Sequence, residues 1–285
     1  MSKAPLPWNR EPGEIFSEVL LTAAGGRTTF LIVEGPSDQK FFTPRTASYV
    51  EVIPAGGRTP VEKIIEWSEV HATSATLHCL GIVDEDYDWY FGVGPASQNV
   101  VKFDPRDLEG LLLRSTALNA VLAEMSSRAT VDAFQASTGA TIRDAIAQRA
   151  ELFGRVRIYN QANNRIKIGR RLSPHHFQIS GTWSYDENAM LAEAVAMGIH
   201  TCAVALRAEA AALTIPNVWN CVRGHDAITI LVGGLQTAIK ATQQASADKV
   251  ESILRQSITK IEVEASQLWK DILAWEALRG RRLLT

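Results

Sequence analysis

Three groups of carboxylates stand where short apolar runs stop. Glu34 ends "TFLIVE" (29–34), with Asp38 four residues on. Asp84, Asp86 and Asp88 close the run that begins "LHCLGIVDED" (77–86), and Asp107 and Glu109 follow "NVVKFD" (99–104). Crowded carboxylates repel one another and raise each other's pKa values unless a cation neutralises them. Oxygen-only ligation, without His or Cys, selects Mg²⁺ or Mn²⁺ over Zn²⁺. Asp84 and Asp86 are i, i+2 neighbours, so they share one face if the strand persists that far; Asp88 joins them only if the extended geometry continues. Taken singly, each group has a plainer explanation as a turn, a solvated strand end or a helix start favoured by the helix dipole. Three such groups at the ends of successive strands point instead to a metal site.

The elements that must position them follow from the same runs. "TFLIVE", "YVEVIPA" (49–55), "LHCLGIVDED" and "NVVKFD" are short, unalternated and rich in Val and Ile, as expected of strands buried on both faces of a mainly parallel sheet. Between the second and third runs, "RTPVEKIIEWSEVHA" reads as a crossover helix, with Thr59 as N-cap, Pro60 at the first helical position and Glu62 closing a capping box. Such βαβ units wind right-handed and gather ligand chemistry at the carboxyl ends of their strands. The expected fold class is α/β, a Rossmann-like, mainly parallel sheet flanked by helices, with a mostly helical C-terminal region. In that region "YDENAMLAEAVAMGIH", "HDAITILVGGLQTAIKATQ" and a long final helix from "ADKVESIL" to "EALRG" carry apolar residues at three- and four-residue spacing. Val250, Ile253, Leu254, Ser257, Ile261, Leu268 and Ile272 mark a stripe on the last of these, read as core packing, with a docking surface for a partner or a second copy as the alternative.

Composition excludes several classes. With 285 residues, 46% of them hydrophobic, the chain is long enough for a large domain or a core with a substantial appendage. A formal net charge of -2 excludes a uniformly basic nucleic-acid binder, so any such contact needs a local patch. Cys79, Cys202 and Cys221 lie far apart without C-x-x-C spacing, which argues against a disulfide framework and a zinc module and for reduced thiols. The N-terminal residues lack a signal-peptide apolar core and no apolar run is long enough to span a bilayer, so a cytoplasmic protein without membrane contact is expected.

"LIVEGPSD", "IPAGGRT", "GIVDEDYD" and "DLEGLLL", in that order, resemble the Toprim domain as found in OLD-like nucleases and in the Toprim-like effector subunit of PARIS-type antiphage systems. The likeness covers about residues 28–115, and "CVRGHDAITIL" (221–231) extends it more weakly. It implies that Glu34 is the general acid or base, that Asp84 and Asp86 bind Mg²⁺ or Mn²⁺, that Asp38, Asp107 and Glu109 complete the acidic site, and that Gly56 and Gly57 form the turn after the second strand. Glu85 is an addition to that pattern. Phosphodiester hydrolysis independently asks for metal ions and a carboxyl group that handles protons, roles that suit Asp84, Asp86 and Glu34. The expected division is an N-terminal extension (1–27), a Toprim core (28–115), a linking region with a basic segment (116–185) and a helical region (186–285).

Toprim domains also serve topoisomerases and primases, so the remainder has to discriminate. The chain leaves no room for a strand-passage gate and carries no cysteine and histidine zinc module, which leaves a nuclease. No P-loop signature is present, so an ATPase function belongs to a partner. The resemblance implies an ABC-type ATPase subunit and a role as toxic effector; RNA such as tRNA is favoured over DNA as substrate, with both open in the sequence, as is a homo-oligomer. The alternative is a catalytically inactive regulatory subunit. Substrate contacts are expected from "GRVRIYNQANNRIKIGRR" (154–171), where Arg155, Arg157, Arg165, Lys167, Arg170 and Arg171 occur without an acidic residue and Tyr159 offers a stacking face. A solvated basic surface explains the same segment. His175 and His176 read as a loop feature, since adjacent side chains diverge. His225 and Asp226 in "RGHDAI" read as a helix start, with an accessory role at the site as the sharper option.

Overall fold

The computed structural model describes residues 10–23, 28–71 and 77–285. The chain folds as two compact units, residues up to Asp104 with Lys260–Thr285, and Pro105–Thr259. These boundaries differ from the expected ones: residues 260–285 belong with the sheet, and Asp107 and Glu109 belong to the second unit.

In the first unit, α1 (Pro12–Ala23), β1 (Thr29–Val33), α2 (Pro36–Phe42), β2 (Val50–Pro54), α3 (Arg58–Val70), β3 (His78–Val83), α4 (Asp88–Phe91) and β4 (Val100–Lys102) follow in order. The four strands form one all-parallel sheet in the order β2-β1-β3-β4, as the apolar runs predict. β1 is central and every residue of it is buried; Ile32 faces Ile53 on one side and Gly81 on the other. Gly81 is required by packing. A Cβ there would lie 2.9 Å from the Val61 and Ile65 side chains, so its absence lets α3 settle on β3. Val61, Ile64 and Ile65 meet Ile15 and Val19 of α1 and Phe30, Ile32 and Val83 of the sheet in one core.

α3 starts earlier than the sequence suggests. Its N-cap is Gly57, at φ 132°, so Thr59 is already inside the helix and Glu62 pairs with Arg58 one turn back instead of closing a capping box. A backbone angle that only glycine adopts readily decides the start, ahead of a threonine side chain. The final helical pattern also divides, into α13 (Ala247–Ser257) in the second unit and α14 (Lys260–Ala265) and α15 (Gln267–Arg279) in the first. Ile258 turns extended after α13, and Ser266 starts α15 by accepting the Trp269 N–H. The apolar stripe is correspondingly broken. Val250, Leu254, Leu268 and Ile272 are buried, whereas Ile261 is 78% exposed. Trp275 and Arg279 of α15 donate to Asn99, and the segment after it pairs with residues 45–47, which ties this tail to the first unit.

The second unit is helical: α5 (Leu108–Arg114), α6 (Ala117–Met125), α7 (Arg128–Thr138), α8 (Ile142–Asn163), α9 (Glu187–Ala196), α10 (Ala203–Ala211), α11 (Val218–Cys221), α12 (Gly224–Gln236) and α13. Its longest element, α8, carries Phe153 and Val156 into a core with Leu172, Met190, Leu191, Leu206 and Ala210. Among the described residues no helix is long and apolar enough to cross a membrane.

Candidate active site

The carboxyl ends of β1 and β3 bring the first two acidic groups together. Glu34 is the residue after β1, and its backbone carbonyl accepts the N–H groups of Gly56 (2.9 Å) and Gly57 (3.0 Å). Both glycines have positive φ, 88° and 132°, which is why the turn after β2 needs this pair. Glu34 Oε1 accepts the Asp84 N–H at 2.8 Å, which links the ends of the two strands. Asp38, the third residue of α2, returns Oδ2 to the Gly35 N–H at 2.8 Å and is buried.

The Glu34 carboxyl is pushed up to about 7, first by burial and then by the charges of Asp86 and Asp38; the Asp84 N–H and Arg58 oppose the rise. Asp86 therefore acts on Glu34, but not by the expected alternation. β3 stops at Val83 and Asp86 takes the left-handed conformation, φ 50°, so a turn and not a strand presents it. A non-glycine residue held there stores backbone strain of a kind found at functional sites.

Asp88 belongs to a different arrangement. It opens α4 and receives Arg58 and Lys102, each at 2.6 Å from Oδ2. Burial would raise its carboxyl, but these two cations outweigh it and hold the group below the usual range. Lys102 also lies 3.3 Å from Glu85, whose carboxyl burial raises while Lys102 opposes. Thus a neutralised patch of Arg58, Lys102, Glu85 and Asp88 accompanies a carboxylate group in which the charges of Asp86 and Asp38 push the Glu34 carboxyl up. Arg58 and Lys102 were not among the sequence candidates. The i, i+4 spacing of Arg58 and Glu62 was the visible signal for the first, and nothing local marked the second.

Among the described residues, only Glu109, His225 and Glu251 bring three potential ligand atoms within 4.8 Å of one another, so the sheet-edge carboxylates do not close into a cage. Mg²⁺ asks for less, since it keeps several waters and is held by one or two carboxylates. An all-oxygen set of Glu34, Asp84 and Asp86, with charges that raise a neighbour's pKa, fits such an ion.

Asp107 and Glu109 lie in the second unit. Asp107 caps α5: Oδ1 accepts the Gly110 N–H at 2.8 Å, while Oδ2 accepts Arg106 Nη1 at 2.9 Å and the Gly224 N–H at 2.8 Å. Both oxygens are thus engaged by the protein. Asp226, two residues into α12's first turn, is buried against Arg157, whose Nε donates to Oδ2 at 3.0 Å and whose Nη2 also reaches the Leu172 carbonyl at 3.0 Å. Arg155 is similarly committed, to Glu151, to the carbonyls of Ala210 and Ala211 in the last turn of α10 and to that of Leu213 just after it. The basic segment therefore splits. Arg155 and Arg157 hold α8 in its surroundings, whereas Arg165, Lys167 and Arg170 are exposed in the loop after α8, with no ion pair among the described residues. Arg171 is exposed but pairs with Glu193 at 2.6 Å. His175 and His176 do not diverge as adjacent side chains are expected to: their rings lie tilted against each other, centroids 3.7 Å apart and 42° between planes. Comparison with models of protein families, with curated proteins and with solved structures finds no match.

Proposed function

We propose that the chain is a Mg²⁺-dependent nuclease of the Toprim type, in which Glu34 moves protons and Asp84 and Asp86 hold the ion. The observation that carries this reading is the environment of Glu34. It is half-buried at the carboxyl end of the central strand, bonded to the Asp84 N–H, and its carboxyl is pushed up to about 7 by this burial and by the neighbouring Asp86 and Asp38. A carboxyl group poised near 7 exchanges protons effectively at physiological pH. When bound, the ion supplies Lewis-acid stabilisation of phosphoryl charge and an activated water. Glu34 takes or returns the proton, the Gly56 and Gly57 N–H groups fix its backbone, and Asp88 holds Arg58 and Lys102, the first of which acts on the Glu34 charge. The exposed Arg165, Lys167 and Arg170 are suited to phosphate contacts.

The motif resemblance of residues 28–115 supports the finer reading: RNA such as tRNA as substrate ahead of DNA, control by an ABC-type ATPase partner, and a cytoplasmic toxic effector of antiphage defence. The test is incubation of the purified protein with labelled tRNA, single-stranded DNA and duplex DNA in Mg²⁺, Mn²⁺ and EDTA. Cleavage in either metal, none in EDTA, and loss in Asp84→Asn and Asp86→Asn is the expected pattern; undiminished cleavage in both variants removes the assignment. One observation favours a regulatory Toprim-fold subunit without catalysis, namely that no three sheet-edge ligand atoms converge within 4.8 Å among the described residues. Protection of cells by Glu34→Gln protein that no longer cleaves would select that second reading.

A further inference from the structure

The sheet unit holds a cavity that the nuclease reading does not use. It measures about 770 Å³ and lies at the amino-terminal ends of β3 and β4, between the last turn of α3 and α15. Glu34 and Asp84 stand at the opposite, carboxyl ends of the strands, where the chemistry of parallel sheets gathers, so this is a separate place. Its volume falls within the roughly 300–1,000 Å³ of small-ligand pockets. The wall is organised by Asn99, which is 7% exposed. Asn99 Oδ1 accepts Trp275 Nε1 at 2.9 Å and Arg279 Nη2 at 2.7 Å, and its Nδ2 donates to Glu69 Oε1 at 2.5 Å. One buried amide thus sets an aromatic ring, a cation and a carboxylate around the cavity in advance, which lowers the cost of ordering them on a ligand.

These groups keep bonding capacity that the fold does not use. Arg279 commits only Nη2, and the side chains of His78 and Gln98 make no hydrogen bond among the described residues. Burial, and then the charges of Arg281 and Arg279, hold the His78 imidazole below its ordinary value, so at neutral pH it is uncharged and offers one N–H. Two guanidinium groups thus act at His78, against the single carboxylate of Glu69 on the cavity lining, and the excess charge there is positive. An anion suits Arg279 and His78, since a guanidinium takes phosphate or carboxylate through charge-assisted bonds. The Glu69 carboxylate accepts from hydroxyl groups, and the Gln98 amide both donates and accepts. Trp275 and Leu278 supply apolar surface for a flat ring.

We infer that this cavity binds a nucleoside monophosphate, with the phosphate on Arg279 and His78, the ribose hydroxyls on Glu69, and the base against Trp275 and Leu278 with its edge at Gln98. The site goes beyond the nuclease reading and does not rest on it.

The experiment titrates the full chain by calorimetry in EDTA with AMP, GMP, CMP and UMP, with the matching nucleosides and with inorganic phosphate, while the imidazole resonances of His78 are followed by NMR. The expected result is one equivalent of at least one monophosphate, bound ~10-fold or more tightly than its nucleoside or inorganic phosphate, as charged hydrogen bonds predict. Addition of that monophosphate should shift the His78 resonances. Arg279→Gln and Glu69→Gln should each weaken binding, the first by ~10-fold or more. Both residues are exposed, so the variants should fold, which melting temperature checks. Asp84→Asn/Asp86→Asn should bind as before. Affinity weaker than ~1 mM for all four monophosphates, inorganic phosphate bound as tightly as any of them, affinity unchanged in both Arg279→Gln and Glu69→Gln, or binding lost in Asp84→Asn/Asp86→Asn would each overturn the inference. None of these readouts involves cleavage, so they stand apart from any failure of the nuclease reading.

Discussion

Glu34 in the sheet unit is half-buried and Asp226 in the helical unit fully buried, and the surroundings of these two acidic residues are opposite. Asp226 receives a guanidinium through Nε and Nη2 and is 2% exposed. Glu34 receives one backbone N–H and faces the charges of Asp86 and Asp38, which raise its carboxyl further after burial has done so. A carboxylate that the protein neutralises itself serves the fold. One left with like charges beside it costs the fold stability and is available for an ion or a proton. Asp107, with both oxygens occupied, stands with Asp226, although "DLE" and "DED" look alike in the sequence.

The largest effect should come from breaking the neutralised side of that comparison. Asp226→Ala leaves Arg157 buried and unpaired, which typically costs about 3–5 kcal/mol. Chemical denaturation should show the loss, and the thiols should locate it. Burial pushes both Cys79 and Cys221 up to about 12, so in the native protein only the exposed Cys202 should react quickly at pH 8. In Asp226→Ala, Cys221 of the helical unit should become reactive before Cys79 of the sheet unit. Equal protection of all buried thiols and an unchanged midpoint would show that the pair carries no stability.

On the other side, Glu34→Gln should cost function and not stability. The amide keeps the shape but cannot exchange protons at neutral pH, so cleavage should fall on the order of 10²-fold or more while the fold and partner binding survive. Single-turnover cleavage of the preferred nucleic acid is the measurement, and a variant with native rates would end the assignment.

The same substitution has a smaller, pH-dependent consequence in metal-free protein. The folded-state value of Glu34, about 7, lies above the ordinary 4.5, so between these two pH values the native state binds more protons than the unfolded one. Stability contributed by the protonated form is therefore complete below about pH 4.5 and is lost as pH rises through 7. Glu34→Gln lacks this dependence, so it should be more stable than the wild type by a margin that grows from pH 5 to pH 8 in EDTA to on the order of 1–3 kcal/mol, read from chemical denaturation at each pH. A constant offset would mean that the group is not shifted.

How much of this was legible before folding depended on whether the signal was local. The strands were, because unalternated Val and Ile runs have few other uses, and so was the gathering of Glu34 with Asp84 at one edge of the sheet. The helix starts were less so: Gly57 overrides Thr59 at α3, and Ser266 ends what reads as one continuous helix by capping the next. The pairing of Arg157 with Asp226 joins residues 69 apart, and Glu251 meets His225 only through the packing of α13 on α12. Neither leaves a trace in local spacing. Arg157 therefore reads as one more cation in a basic run, when its charge is already spent on Asp226.

That splitting of the basic run sets the smallest and most discriminating prediction. Arg165, Lys167 and Arg170 are exposed without an ion pair among the described residues, so replacing all three by Gln should leave stability within about ±0.5 kcal/mol. Gln is preferred to a smaller residue because Arg165 sits at φ 53°, where a change of backbone preference would confuse the result. If these side chains contact phosphates, each releases a counterion on binding, so the slope of log affinity against log salt should flatten by ~0.7 per contact on a single strand and ~0.9 on a duplex. Three contacts on single-stranded RNA would thus remove about 2 from the slope. Arg171→Gln should change it less, since Glu193 already engages that guanidinium. A triple variant with the wild-type affinity and slope returns the loop to an ordinary solvated surface; one whose slope falls while cleavage at saturating substrate is kept separates holding the nucleic acid from cutting it.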